Sequence, residues 1–203
     1  MSRYTGPRVR AMRAVGSQLP GLSSKSYERR PYPPGQHGQG RKKVSEYGLR
    51  LKEKQKLCLN YGVTERKLRR LMVQARAAKG PTGDRLLELL ERRLDNVVFR
   101  AGLARTIPAA RQLVNHGHVT VDGRRVDRAG FLVRTEHVVG LRERSQGLTL
   151  VTGALDAAQA LDTPWLRIDK QKRTATVCSL PEASSVPFPI EVQLVVEFYS
   201  QRV

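Results

Sequence analysis

The stretch LERRLDNVVFRAGLARTIPAARQLVNHGHVTVDGRRV, Leu90 to Val126, decides the fold. Leu87, Leu90, Leu94, Val97 and Ala101 fall on one helical stripe, so the spacing predicts a continuous helix from about Asp84 to Ala101. Gly102 breaks it. Asp95 sits beside Arg92 and Arg93 and is expected to pair with one of them within the helix. Thr106 is a good N-cap, and Pro108 is tolerated in a first turn. The next helix, about Ile107 to His116, turns Ala110, Leu113 and Val114 inward and leaves Arg111, Gln112 and Asn115 on more open faces. Gly117 suits a left-handed C-cap. His118 to Val121 alternates as a strand, Asp122-Gly123 is a primed hairpin turn, and Arg124-Arg125-Val126 returns. Arg124 and Arg125 straddle that hairpin, so one of them is expected to face solvent. The order is helix, turn, helix, glycine, hairpin, with basic and amide side chains gathered around one turn and one helix end.

Upstream, Val44, Tyr47, Leu51, Cys58 and Tyr61 follow helical steps down to Gly62. Thr64 then caps a second helix whose apolar face is Leu68, Leu71, Met72 and Ala75. Arg66, Lys67, Arg69, Arg70 and Arg76 point elsewhere, giving a cationic surface, and the Gly80 to Gly83 cluster ends the helix. Downstream, Ser145 to Gln159 reads as a surface loop and helix with no assigned role. Asp169 to Lys172 joins a further hairpin. Ile190 to Tyr199 has strand-like composition but helical periodicity in Val192, Val195, Val196 and Tyr199, and the helix is the reading preferred.

Charge narrows the function. The 203 residues carry 37 Lys and Arg against 18 Asp and Glu, a formal net charge of +19. Residues 1–80 hold 20 of the bases and 4 of the acids, and residues 81–203 hold 17 and 14. A surplus this large repels itself unless a polyanion neutralises it. A membrane-spanning helix needs roughly 20 consecutive apolar residues, and the apolar runs here are far shorter. The first sixteen residues lack the apolar core of a secretory signal and the clean amphipathic stripe of a transit peptide. Cys58 and Cys178 form no disulfide framework, which fits a reducing compartment.

Residues 1–43 are poor in large aliphatics, and Tyr27 to Lys43 is punctuated by Pro31, Pro33, Pro34, Gly35, Gly38 and Gly40. They are expected to form an extended arm. Against RNA, Arg29, Arg30, Arg41, Lys42 and Lys43 would meet phosphates, while Tyr27, Tyr32 and His37 offer rings for stacking. The alternative is a disordered tail with incidental charge.

The Leu90–Val126 run resembles the S-four RNA-binding domain. RPYPPGQHG at Arg30–Gly38, YGVTERKLRRLM at Tyr61–Met72 and VVEFYSQRV at Val195–Val203 are similar to the ribosomal protein S four family of bacteria and organelles, in order and over nearly the whole chain. The resemblance implies an α+β fold with three parts. These are a basic arm over 1–43, a helical domain over 44–89 plus 181–203, and an inserted α+β domain over 90–180 with antiparallel strands. It implies a non-enzymatic constituent of the small ribosomal subunit that binds the 5′ domain of 16S-type ribosomal RNA and nucleates assembly. Such a protein also contributes to translational accuracy and to the region where messenger RNA enters. The implied partners are that RNA, messenger RNA, and ribosomal proteins S five and S three. The implied location is a cytoplasmic or organellar ribosome.

Residue by residue, Arg92, Arg93, Arg105, Thr106, Arg111, Gln112, Asn115, His116 and His118 match the family's RNA-facing motif. Arg29, Arg30, Gln36 and His37 match its RNA-threading extension. Arg69, Arg70 and Arg124 complete the expected RNA-binding set. His116 and His118 have a plainer reading, ending a helix and filling a strand position. No cofactor is expected. Zinc is not expected either, because Tyr4 to Gly16 lacks the cysteines by which some relatives hold it. An RNA-modifying enzyme carrying the same small domain would need a catalytic domain, and neither the first 80 residues nor the last 30 hold one. A free-standing RNA chaperone or repressor would use the same basic surface, and cellular stoichiometry separates it from a ribosomal component.

Overall fold

A computed structural model describes residues 4–40, 43–156 and 163–200. The chain divides into two compact units, Met1–Leu86 with Phe188–Val203, and Leu87–Pro187. The first half of the chain order is α1 (Arg8–Val15), α2 (Glu46–Asn60), α3 (Glu65–Ala77), α4 (Thr82–Glu91), α5 (Leu94–Arg100), α6 (Ile107–Asn115), β1 (Val119–Val121) and β2 (Arg124–Arg125). Then follow β3 (Val138–Leu141), α7 (Glu143–Gln146), α8 (Thr149–Asp156), β4 (Leu166–Asp169), β5 (Thr174–Val177), a 3₁₀ turn at Ala183–Ser185, and α9 (Val192–Ser200). The class is α+β, with an antiparallel five-stranded sheet.

In the first unit, Ser45 and Thr64 accept the N–H groups of Gly48 and Lys67 and so fix the starts of α2 and α3. Helix α9 packs on α2 and α3. Val195, Phe198 and Tyr199 turn inward, so the three- and four-residue spacing prevails over β-branched composition. Polar links fasten the same bundle. Glu197 accepts from Arg50 Nε at 2.8 Å, and Glu65 accepts from Tyr199 Oη at 2.6 Å and from Lys54 at 2.8 Å.

The amino-terminal segment departs from the expected extended arm. Arg8–Val15 is helical, with Pro7 before its first turn and Gly16 in the left-handed conformation after its last. Met12, Leu19 and Leu22 are fully buried, and the Gly21 N–H donates to Asn60 on α2 at 2.9 Å. The few large apolar residues of this segment are spaced to meet one surface, which ties residues 8–23 to the bundle. Beyond them the chain lacks regular structure, yet it is held. Tyr27 Oη donates to the Gly16 carbonyl at 3.3 Å, and Arg13 Nε donates to the Tyr32 carbonyl at 3.0 Å with its guanidinium 5.0 Å from the Tyr32 ring centre.

In the second unit the expected long helix is broken at Arg92–Arg93. Helix α4, which starts at Thr82 and so earlier than expected, stops at Glu91, and α5 restarts at Leu94. The break is tertiary in origin. Leu94 and Asp95 donate their N–H groups to the carbonyls of Phe131 and Ala129 at 2.8 and 3.1 Å, and Arg92 accepts from Val133 N–H at 2.9 Å. The sheet order is β2-β1-β3-β5-β4. Val121, Val139 and Ala175 lie side by side in register and are buried. Asp122 and Gly123 both have positive φ, the backbone of the expected hairpin turn. The Ser145–Gln159 stretch takes in the end of α7 and all of α8, and α8 is anchored by buried Val151 and Ala154; residues 157–159 lie outside the described set.

Candidate nucleic-acid interface

The candidate surface of the second unit is assembled around α6. Thr106 caps it, its Oγ1 accepting from Ala109 N–H at 3.4 Å. Ala110 N–H bonds the Thr106 carbonyl at 2.9 Å, and Pro108 has no N–H. The helix start therefore presents a dipole end more than a row of amides, and Thr106 itself is buried. Arg111, Gln112 and Asn115 follow on the open face of α6. Gln112, Asn115 and His116 are exposed and Arg111 is half-buried. At the other end, Gly117 adopts φ +74° and His118 N–H returns to the Leu113 carbonyl at 3.0 Å.

The histidines have both structural and surface character. His116 caps α6 and is exposed. His118 is half-buried, its Nδ1 2.9 Å from Ser145 Oγ. Their rings are 6.1 Å apart. Arg124 and Arg125 are both exposed, where one had been expected to face solvent. Arg125 lays its guanidinium across the space that a side chain on Gly117 would need.

The two arginines of the helix break are differently placed from the rest. Arg93 is 2% exposed and its Nε and Nη2 grip both oxygens of Asp95, at 3.1 and 2.8 Å. It is spent inside the fold and lies outside any surface available to RNA. The fully buried Asp95 also meets Arg111 Nη2 at 3.1 Å, a link across to α6. Arg92 does not pair with Asp95. It donates to Glu88 at 2.9 Å and to the Val133 carbonyl at 3.0 Å, leaving 19% of its side chain accessible. Arg105 is exposed, with Nε and Nη2 donating to the Gly153 carbonyl at 2.9 and 2.5 Å.

In the first unit Arg69 and Arg70 are exposed on α3, opposite buried Leu68, Leu71, Met72 and Ala75. Arg66, on the same helix, is exposed too. Arg29, Arg30, Gln36, His37 and Lys43 are exposed, while Arg41 and Lys42 fall outside the described residues. Tyr32 and Tyr27, expected as stacking rings, are engaged by Arg13 and Gly16 respectively, which leaves His37 as the exposed ring of the three. Gly38 is buried against the Pro33 carbonyl, in a turn closed by its N–H to Gly35 O at 3.2 Å.

Arg142 and Arg144 stand in no motif of the sequence. Both are exposed, and Arg142 N–H donates to the His118 carbonyl at 2.9 Å, bringing it beside the α6 surface. The signal was faint, because the adjoining stretch carried no recognisable pattern. Among the described residues no group of three or more His, Cys, Asp or Glu stands close enough to hold a metal ion. No described helix is long and apolar enough to cross a membrane.

Two family models match the chain. Residues 3–91 match the ribosomal protein S4/S9 N-terminal domain, and residues 92–139 match the S4 domain. Full-length relatives are similar throughout. The chain is 52% identical to small ribosomal subunit protein uS4 of Methylobacillus flagellatus and 53% identical to uS4 of Synechococcus elongatus. It is 50% identical to uS4B of Nitrosomonas europaea. In each case all of both chains is covered.

Proposed function

This chain belongs to the uS4 family of small-ribosomal-subunit proteins, structural constituents and not enzymes, and from that premise we propose that it binds the 5′ domain of 16S-type ribosomal RNA directly. The observation that carries the reading is the open face of α6 and its flanks. There Arg105, Arg111, Gln112, Asn115, His116 and Arg124 stand accessible or part-accessible. Guanidiniums provide paired donors to phosphate oxygens, and amides reach 2′-hydroxyls or base edges. His118 borders this face, its ring 6.1 Å from that of His116; Arg92 keeps 19% of its side chain accessible. Arg93 is left out of the face. Further contacts are proposed on the first unit, from Arg69 and Arg70 on α3 and from Arg29, Arg30, Gln36, His37 and Lys43, all exposed; Arg41 and Lys42, expected in the same set, lie outside the described residues.

Double-stranded RNA offers side chains little base readout in its deep groove, so specificity on this reading comes from the shape of a folded junction. Early binding of such a junction would make the protein a nucleator of subunit assembly. Contacts with ribosomal proteins S five and S three, a place near incoming messenger RNA, and a part in translational accuracy follow from the family resemblance. The competing reading, a free-standing RNA chaperone or repressor, differs in abundance. Quantifying the protein across a sucrose gradient of cell extract tests this: one copy per small subunit is expected. A substoichiometric amount sedimenting apart from subunits overturns the ribosomal reading.

A further inference from the structure

The stretch after β3 had no role in the sequence, yet it touches two of the side chains proposed to face RNA. Ser145 is 5% exposed, and its Oγ lies 2.9 Å from His118 Nδ1. The neighbouring Arg142 N–H holds the His118 carbonyl at 2.9 Å, so backbone and ring of His118 are both fixed from this side. Eight residues on, the Gly153 carbonyl receives two N–H groups of Arg105. Gly153 lies within α8. It is also where a side chain would crowd the guanidinium, since an added Cβ would stand 3.3 Å from Arg105 Nη2. Buried Val151 and Ala154 hold α8 itself in place.

We propose that Ser145 and the Gly153 carbonyl are positioning groups for RNA binding, holding the His118 ring and the Arg105 guanidinium in the orientation used on RNA. The proposal rests on the RNA-binding reading above. With Nδ1 engaged by the Ser145 hydroxyl, the His118 ring cannot turn freely, and Nε2 is the ring nitrogen left to meet RNA. Arg105 spends Nε and one Nη2 hydrogen on Gly153, and its other donors remain for a phosphate. A long, flexible arginine fixed in advance loses less entropy when it binds.

Two double-mutant cycles on the full-length protein test this, read as affinity for a transcript of the 16S 5′ domain and for an unrelated RNA of equal length. Ser145→Ala and His118→Ala are each expected to weaken binding to the 5′ domain about threefold to tenfold, and the double variant no more than His118→Ala alone. Gly153→Val is expected to weaken binding in the parent and to do nothing in an Arg105→Ala background. A thermal midpoint for each variant separates loss of fold from loss of position. Effects that multiply in both cycles, or single variants that fold and bind as the parent does, overturn the positioning role while the RNA reading stands. If the parent itself binds both RNAs equally, the RNA reading fails and the proposal falls with it.

Discussion

At the scale of single residues, conformation and burial decide more than charge. Gly117 has φ +74° and carries the Arg125 guanidinium over its α-carbon. Gly117→Ala should therefore cost about 1–3 kcal/mol, measured by urea unfolding, from a strained backbone and a displaced arginine. Asp95 is fully buried between Arg93 and Arg111. Asp95→Ala strands a buried guanidinium and should cost about 3–5 kcal/mol in the same assay. The two cysteines should separate chemically. Burial pushes the Cys58 thiol up from 9.0 to about 12, the nearby Glu65 adds to the rise, and Lys54 opposes it. Cys178 is exposed. A thiol reagent at pH 8 should modify exposed Cys178 well before Cys58, whose half-buried thiol holds its proton, and mass spectrometry of the labelled peptides reads this directly. Because the folded thiol keeps a proton that the unfolded one releases, its contribution to stability is present below pH 9 and is lost as pH rises towards 12.

At the scale of elements, local signals were legible and tertiary ones were not. Thr64, Thr106, Gly117 and Asp122-Gly123 announce their caps and turns through their own chemistry, and the structure places them so. Helix α9 was readable because Val195 and Tyr199 keep helical spacing in a β-rich composition. The break between α4 and α5 had no such marker. The Leu87–Val97 stripe runs through it without Gly or Pro, and the partners that break it, Ala129, Phe131 and Val133, lie more than thirty residues away. Helix α1 was missed because its basic composition hid a three-residue apolar contact, although Pro7 and Gly16 bracketed it. The burial of Arg93 was likewise hidden, since an arginine in a basic chain reads as surface. For α6 the cap makes a separate prediction. Thr106→Ala should lower stability by about 1 kcal/mol, with little further effect on RNA affinity in the folded protein. Its hydroxyl is spent on Ala109, so unfolding and binding measured on one preparation distinguish a cap from a contact.

At the scale of the whole molecule, the charge of +19 said early that a polyanion completes the protein. Which arginines meet it was less legible, because charge alone does not separate Arg93, locked on Asp95, from Arg124, exposed on a hairpin. Charge explains attraction to any RNA, whereas the proposed α6 face predicts preference for one. Binding to small-subunit ribosomal RNA, set beside an unrelated RNA of equal length across a salt series, separates the two most directly. The predicted result is a steep fall of affinity with salt on both RNAs and a preference of roughly a thousandfold or more for the ribosomal one that persists at high salt. Equal affinity for the two RNAs at every salt concentration would contradict site-specific recognition and leave only a polycation.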